Sequence, residues 1–279
     1  MITPLHQDAG FLADVAAARG ECSPTRLFIW WLGQSGFLVA YDGHFLLLDP
    51  YLSDALTRKY AATAQPHIRM TERVVDPAML GNVSVVTSSH RHTDHFDVET
   101  LLPLFAAAPA AKLVLPAANV AFAEERLGAA AHHRLLPLAE GERATVGAFT
   151  FESLPAAHEA LAPEFCGFVV SAGPFRIYHS GDTILFPGMA ARLRPFAVDL
   201  ALLPINGRAP ARRVAGNLDG AEAAELAHAI GARCVVPCHY EMFTFNTAPP
   251  ALFSVTCARL GQPCAILRAG ERLSLDASR

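Results

Sequence analysis

Short apolar runs separated by turn-forming residues occupy the first part of the chain. The runs cover residues 27–32, 37–41 and 45–48, and the separators are Gly33, Gly36 and the Asp42-Gly43 pair. Apolar runs of this length, bounded by glycine and aspartate, are typical of buried strands joined by tight turns. We therefore predict an antiparallel meander, preceded by a helical lead-in over residues 1–24 and belonging to one domain over residues 25–279.

Beyond residue 82, strand-like runs alternate with helix-like segments. The predicted strands cover residues 83–87, 112–115, 150–154, 168–171, 175–179, 200–204 and 234–237. The predicted helices cover residues 98–107, 120–127 and 221–230, and a last hairpin is predicted around Gly270. Residues 53–73 lack clear periodicity and are predicted to form a mobile loop. Strands and helices mixed in both halves favour an α+β fold, in which two sheets pack face to face with helices outside.

Charge and composition narrow the classes of partner. Charged residues make up 17% of the chain and the formal net charge is −4, so there is no basic excess to hold a nucleic-acid backbone. Residues 1–20 lack the basic and long apolar regions of a signal peptide, and no run reaches the ~20 apolar residues of a membrane span. We expect a cytoplasmic protein that binds neither nucleic acid nor membrane, with six scattered cysteines as reduced thiols.

A dense group of metal-binding residue types follows the predicted strand at residues 83–87. His90 and His92 stand at i and i+2 of an extended segment, so both imidazoles project to the same side and can share one ion. Asp94 and His95 follow where the chain turns towards the next helix, which can aim them at a second ion. Taken alone, each of these histidines is better explained as a surface residue. Their joint spacing is what indicates a metal site.

Three further candidate ligands come after later strands. They are His158, Asp182 and His239, and each follows an apolar run. Strand ends at one edge of a sheet collect functional groups on a rigid frame, and divalent zinc or manganese favours imidazole and carboxylate ligands. His179 is better explained by a buried structural role, and His132, His133 and His228 are not expected to be ligands.

The spaced motif His-x-His-x-Asp-His at residues 90–95, followed by His158, Asp182 and His239, resembles the signature and later ligands of the metallo-β-lactamase superfamily. The resemblance covers nearly the whole chain from about residue 27 onward. It implies a four-layer αββα sandwich with the metals at one edge. It also implies a first metal held by His90, His92 and His158, a second held by Asp94, His95 and His239, and Asp182 as the bridge.

Three shorter segments are similar to the branch that contains L-ascorbate-6-phosphate lactonase. They cover residues 32–37, 47–50 and 178–182. This similarity implies a metallohydrolase acting on a small anionic substrate, with lactone or phosphoester chemistry favoured. Thioesters and phosphodiesters are the second choice within the hydrolases. The alternative from another class is a non-haem iron dioxygenase, or another non-hydrolytic metal protein, on the same fold.

A hydrolase of this type holds two divalent ions, zinc or manganese with iron as a further option, which make water nucleophilic at neutral pH. Asp94 and Asp182 are then the candidate catalytic residues, with Asp94 placed to orient water or relay its proton. Asp49 is a candidate partner for a ligating imidazole, because such rings usually need their second nitrogen anchored. An aspartate that forms a turn before Pro50 is the competing explanation.

The substrate contacts are less constrained by the sequence. The candidates are Asn206, Arg208, Arg212 and Arg213 after residues 200–204, and Tyr240, Phe243 and Phe245 after His239. Arginine pairs with carboxylate or phosphate oxygens, but a solvated loop accounts for these arginines equally well. Aromatic residues at alternating positions wall pockets and also form core packing. The sequence leaves a homo-oligomer open.

Overall fold

Two mixed β-sheets pack face to face between helices. The structure is a computed structural model, and it describes residues 1–131, 133–158, 160–209, 212 and 215–277. The layer order is that of an αββα sandwich, so the predicted α+β class is confirmed.

The first sheet joins an antiparallel half to a parallel half. Its strands are β1 (Arg26–Gly33), β2 (Gly36–Tyr41), β3 (His44–Leu48), β4 (Val83–Thr87), β5 (Lys112–Pro116), β6 (Leu135–Leu138) and β13 (Arg272–Asp276). The order is β13-β1-β2-β3-β4-β5-β6, antiparallel from β13 to β3 and parallel from β3 to β6. Phe37 lies opposite both Trp31 and Leu48, which confirms the predicted meander.

The second sheet has the same two-part design. Its strands are β7 (Arg143–Val146), β8 (Phe149–Ala157), β9 (Leu161–Ala172), β10 (Phe175–His179), β11 (Leu200–Pro204) and β12 (Cys234–Cys238). The order is β12-β11-β10-β9-β8-β7, parallel from β10 to β12 and antiparallel elsewhere. Because parallel strands end at the same edge, each sheet offers one row of carboxyl ends from which loops can carry functional groups.

The helices of the described residues are short. They are α1 (Asp8–Gly20), α2 (Ala55–Tyr60), α3 (Val98–Ala107), α4 (Val120–Leu127), α5 (Met189–Leu193), α6 (Gly220–Ala229) and α7 (Ala251–Leu260). At the start of α6, the side chain of Asp219 accepts from two backbone amides, and Glu222 returns a bond to the amide of Asp219. Within the described part of the chain, none of these helices has the length and apolar character needed to cross a bilayer.

Both sheets contribute to one main hydrophobic core. The lead-in helix α1 joins it through Phe11, Val15 and Ala18, and Trp30 Nε1 donates a 2.7 Å hydrogen bond to Asp14 Oδ2 of that helix. A separate small apolar cluster consists of Tyr51, Leu56, Met242 and Phe243. All six cysteines are free thiols.

Two predictions about local structure are wrong. Residues 53–73 contain the helix α2, which at six residues is too short to show a helical period in the sequence. There is no hairpin around Gly270, because β13 pairs with β1, where Arg26 lies opposite Asp276. Strands β6 and β7 were not predicted, since each has four residues and β6 contains Pro137.

Candidate metal centre

All seven predicted ligands meet at the edge where β4, β8, β10 and β12 end. They form two groups, the first consisting of His90, His92 and His158 and the second of Asp94, His95, Asp182 and His239. Within each group, one ligand atom from every residue lies within 4.8 Å of the others. Residues separated by as many as 149 positions, His90 and His239, are thus brought to one place by the topology of the two sheets.

The first group consists of imidazoles alone. The ring centroid of His90 lies 4.7 Å from that of His92 and 5.2 Å from that of His158. Phe165, from β9, packs its ring 5.6 Å from His90 and 5.8 Å from His158. His158 Nδ1 donates to the carbonyl of Gly216 at 3.1 Å, which leaves Nε2 for the site.

The second group is mixed, and Asp182 lies at its boundary with the first. Asp182 Oδ1 is 3.2 Å from His95 Nε2, and Asp182 Oδ2 is 3.4 Å from His239 Nε2. The same Oδ2 atom is 3.7 Å from His158 Nε2 of the first group. One carboxylate therefore reaches both groups, which is the placement a bridging ligand needs.

Asp49, at the end of β3, orients imidazoles from both groups. Its Oδ2 atom accepts from His95 Nδ1 at 2.8 Å and also from the Ser89 hydroxyl. The Ser89 oxygen lies 3.1 Å from His90 Nδ1, so the hydroxyl links that ring to the same carboxylate. Thr87 Oγ1 donates to Asp49 Oδ1 at 2.7 Å. The Nε2 atoms of both rings are thereby left for the centre.

Gln34 contacts the second group and was not predicted as a site residue. Its side-chain Nε2 donates to Asp94 Oδ2 at 2.7 Å and lies 3.0 Å from His239 Nε2. Its backbone carbonyl accepts from the amide of His239 at 2.9 Å. The residue lies in the turn between β1 and β2, within the segment 32–37 that is similar to the lactonase branch, but Gly33 and Gly36 indicate a turn rather than a site.

Burial and neighbouring charges together shift the pKa values of the ligand side chains. Burial lowers the pKa of His90 well below its ordinary value, and the nearby His95 lowers it further. Burial also lowers the pKa of His95 and of His239, but the charges of Asp182 and Asp94 outweigh this effect. The pKa of His95 is therefore well above its ordinary value, and that of His239 rises to about 9. The same contacts hold the pKa of Asp94 and of Asp182 well below the ordinary range, against the effect of burial. Both carboxylates are therefore ionised.

The donor set fits divalent metal ions. Imidazole nitrogen and carboxylate oxygen are the ligand types of zinc, manganese and iron sites. His90 Nε2 is buried and has no hydrogen-bond partner among the residues the structure describes. Buried polar atoms are rarely left so unless a ligand occupies the adjacent position. The residues present are thus compatible with two ions side by side.

The centre opens into a cavity of about 860 Å³, which lies in the size range of small-molecule sites. His92, Asp94, His158, Asp182 and His239 are among its lining residues. Much of the remaining lining comes from residues 56–67, the segment predicted as a loop. The predicted mobility of that segment stays a prediction.

Of the predicted substrate contacts, Phe243 lines the cavity, whereas Asn206, Arg208 and Tyr240 are not among its described lining residues. Both terminal nitrogens of Arg208 pair with the Glu222 carboxylate, at 2.8 and 2.6 Å. Tyr240 is buried in the core and stacks on Trp31 with ring centroids 4.4 Å apart. Asn206 is buried and donates to the side chain of Asn246, which does line the cavity. A substrate contact at Asn206, Arg208 or Tyr240 stays a prediction.

His179, His228, His133 and Arg212 are not among the described residues of the two ligand groups. His179 is buried and its Nε2 donates to the carbonyl of Ser35 at 3.0 Å, while His228 and His133 are exposed. Arg212 donates to the carbonyl of Asn206 at 2.6 Å. His132 and Arg213 lie outside the described residues.

Comparison with known proteins shows which family the chain matches. A family model described as a beta-lactamase superfamily domain matches residues 44–240. The chain is similar to a UPF0173 metal-dependent hydrolase of Rubrobacter xylanophilus, with 27% identity over 259 residues that cover 88% of this chain and 95% of the relative.

Solved structures share the fold. Igni18, a novel metallo hydrolase from Ignicoccus hospitalis, has a TM-score of 0.66 and 22% identity, covering 91% of this chain and 100% of that chain. CmlA, a diiron beta-hydroxylase from Streptomyces venezuelae, has a TM-score of 0.65 and 14% identity, covering 91% of this chain and 55% of that chain. At these identities the likeness shows the fold alone.

Gly181 allows the end of β10 to approach the segment that carries His90. Its φ is +58°, and an added Cβ would lie 2.6 Å from Ser89 Cβ and 2.8 Å from the carbonyl oxygen of Cys166. We expect Gly181→Ala to lower the free energy of unfolding by about 2–4 kcal/mol, from strain and overlap together. Gly188, with φ +83° and nothing within 4 Å, is the control, and Gly188→Ala should lose about 1 kcal/mol. Equal losses in urea unfolding would contradict the close approach.

Proposed function

The chain belongs to the metallo-β-lactamase superfamily, and from that premise we propose that it is a hydrolase that uses two divalent metal ions. The observation that carries the proposal is the pair of adjacent ligand groups with the Asp182 carboxylate between them. His90, His92 and His158 would hold one ion, Asp94, His95 and His239 the other, and Asp182 would contact both. Zinc and manganese suit these ligands, and iron accepts the same set.

When bound, such ions lower the pKa of water to about 7 and polarise the bond to be cleaved. The residues of the chain supply orientation. Asp94 lines the cavity with 15% of its side chain exposed, so it is the carboxylate placed to accept a proton from an attacking water. Gln34 donates a hydrogen bond to that carboxylate, and Asp49 orients His95 directly and His90 through the Ser89 hydroxyl.

We propose a small anionic substrate, with a lactone or a phosphoester as the favoured class. Two cationic side chains, Lys59 and Arg91, line the cavity, and they join Arg208 as candidate contacts for a negative charge. Among the described residues, Arg91 takes part in no hydrogen bond or ion pair, whereas Lys59 Nζ lies over the Tyr60 ring, 5.2 Å from its centroid. Arginine binds carboxylate and phosphate oxygens through paired donors.

A screen against protein loaded separately with zinc, manganese and iron tests the reaction class. Phosphorylated lactones, phosphodiesters, thioesters and simple esters are the substrates to compare. Cleavage with zinc or manganese supports hydrolysis. Oxygen uptake by the iron-loaded protein without cleavage would instead support the dioxygenase alternative.

Asp182→Asn tests the bridging carboxylate with little change of shape. We expect turnover to fall roughly a thousandfold, equivalent to about 4 kcal/mol of activation free energy, since one charge would be lost between both ions. Circular dichroism should show a preserved fold. Asp199→Asn is the control, because Asp199 is also a buried carboxylate but pairs with Arg233, outside the cavity lining. Full activity in the Asp182 variant would rule out the bridge.

Asp49→Asn tests whether this carboxylate sets the orientation of the imidazoles. Loss of a carboxylate that anchors ligating histidines should weaken metal affinity about ten- to a hundredfold. Competition with a fluorescent chelator measures the affinity. Asp97→Asn is matched, since Asp97 is buried and caps α3, where asparagine caps equally well. The turn explanation of Asp49 predicts equal affinities in the two variants.

Gln34→Asn shortens the side chain while keeping a residue type that tolerates the positive φ of +50°. Without the bond to Asp94 Oδ2, the ion of the second group should be lost first, so metal content should fall from about two per chain towards one. Gln262→Asn is the control, because Gln262 is a buried glutamine bonded to backbone carbonyls of Ala232 and Pro263. Elemental analysis showing the same metal content in both variants would exclude this positioning role.

A further inference from the structure

Three aromatic side chains form one continuous side of the cavity, which we name the aromatic wall: Tyr60, His67 and Phe243. The rings of Tyr60 and His67 stack with centroids 4.4 Å apart and an angle of 26°. His67 meets Phe243 edge to face at 5.3 Å. Three ring surfaces are thus joined in a row beside the metal centre.

The aromatic wall rests on the small apolar cluster that is separate from the main core. Phe243 belongs to this cluster with Tyr51, Leu56 and Met242, and Tyr60 packs against it. Tyr51 lies 5.7 Å from Phe243, ring centroid to ring centroid. A cluster outside the main core is not needed to hold the two sheets together, so its position beside the cavity is a feature that the fold alone does not require.

Backbone and side-chain bonds fix the aromatic wall in place. The amide of Met70 donates to the carbonyl of Met242 at 2.7 Å, and the amide of Thr244 donates to the carbonyl of Ile68 at 2.9 Å. Thr57 Oγ1 donates to the carbonyl of His67 at 2.8 Å. Residues 57–70 and 242–244 are therefore held to each other on both sides of the rings.

The ring of His67 behaves as a neutral aromatic surface. Its Nδ1 donates to the carbonyl of Gln65 at 3.2 Å, which fixes the ring plane. Burial lowers the pKa of His67 below its ordinary value, so the ring carries no charge at neutral pH. A neutral ring adds aromatic surface to the cavity lining rather than a further cation.

We propose that the cavity selects substrates in which the negatively charged reacting group is joined to a flat unsaturated group that lies on the aromatic wall. This inference rests on the proposed function for the position of the reacting group. Lys59 and Arg91 line the same cavity and supply the attraction for the charge. Ring contacts favour a flat group over a saturated group of equal size by about three- to tenfold in affinity.

Two non-hydrolysable probes of nearly equal size separate flatness from charge. Phenylphosphonate and cyclohexylphosphonate are titrated by calorimetry into the full-length zinc-loaded protein. We expect the phenyl compound to bind about three- to tenfold more tightly. Tyr60→Leu should abolish this preference because it keeps apolar volume without a ring, and Tyr60→Phe should retain it.

Two further variants locate the charge and the ring contact. Arg91→Met should weaken both phosphonates by a similar factor and leave their ratio unchanged. Phe122→Leu is the matched aromatic control, since Phe122 also lines the cavity but packs on Phe96 rather than in the aromatic wall. The preference should survive in that variant.

The inference is overturned if the two phosphonates bind equally, if neither binds, or if Tyr60→Leu leaves the ratio intact. It is also overturned if Phe122→Leu alone removes the preference. The outcome is separable from that of the proposed function. A protein that prefers the phenyl compound but cleaves nothing in the substrate screen refutes hydrolysis and supports the aromatic wall, while the reverse result refutes only the aromatic wall.

Discussion

The buried carboxylate of Asp49 is the interaction on which the centre depends. A charge with no exposure to solvent is stable only when its oxygens are paired, and Asp49 takes donors from Thr87, from Ser89 and from His95. Burial raises its pKa, but the nearby His179 and the bonds from His95 and Ser89 reverse this and hold the pKa below its ordinary value. One ionised group thus joins the end of β3 to the loop after β4 and fixes the direction of two imidazoles.

Three residues at the same centre have strained backbone conformations. Asp49, Gln34 and His239 are not glycines, yet their φ angles are +36°, +50° and +62°. Each such conformation costs about 1–3 kcal/mol and persists only where surrounding contacts determine it. The contacts are present, since the amide of His239 donates to the carbonyl of Gln34, and Trp31 Nε1 donates to the same carbonyl. The strain turns side chains at strand ends inward, towards the place where the two ligand groups meet.

The sequence was most informative where chemistry follows a periodic element. His90, His158 and His239 could be selected because each comes after a strand with a clear apolar pattern, and strand order then brings them together. The lining of the cavity could not be predicted in this way, because α2 is too short to show a period. The partner of Arg208 is Glu222, 14 positions along the chain, and no pattern in the sequence pairs them. Gln34 was missed for a related reason: an amide between two glycines is read first as part of a turn.

The fold does not by itself determine which reaction the metal centre would catalyse. Similar sandwiches carry a metallo hydrolase and a diiron hydroxylase, so the arrangement of strands does not decide between water and oxygen as the reactant. What differs among proteins with such a scaffold is the set of loops at its edge. In this chain those loops place carboxylates against imidazoles, and they line the same cavity with two cationic side chains and a row of three rings. Under the proposed function, selectivity would arise from these loops, because the buried centre would contact the reacting group, whereas residues 56–67 and the residues after β12 line the rest of the cavity.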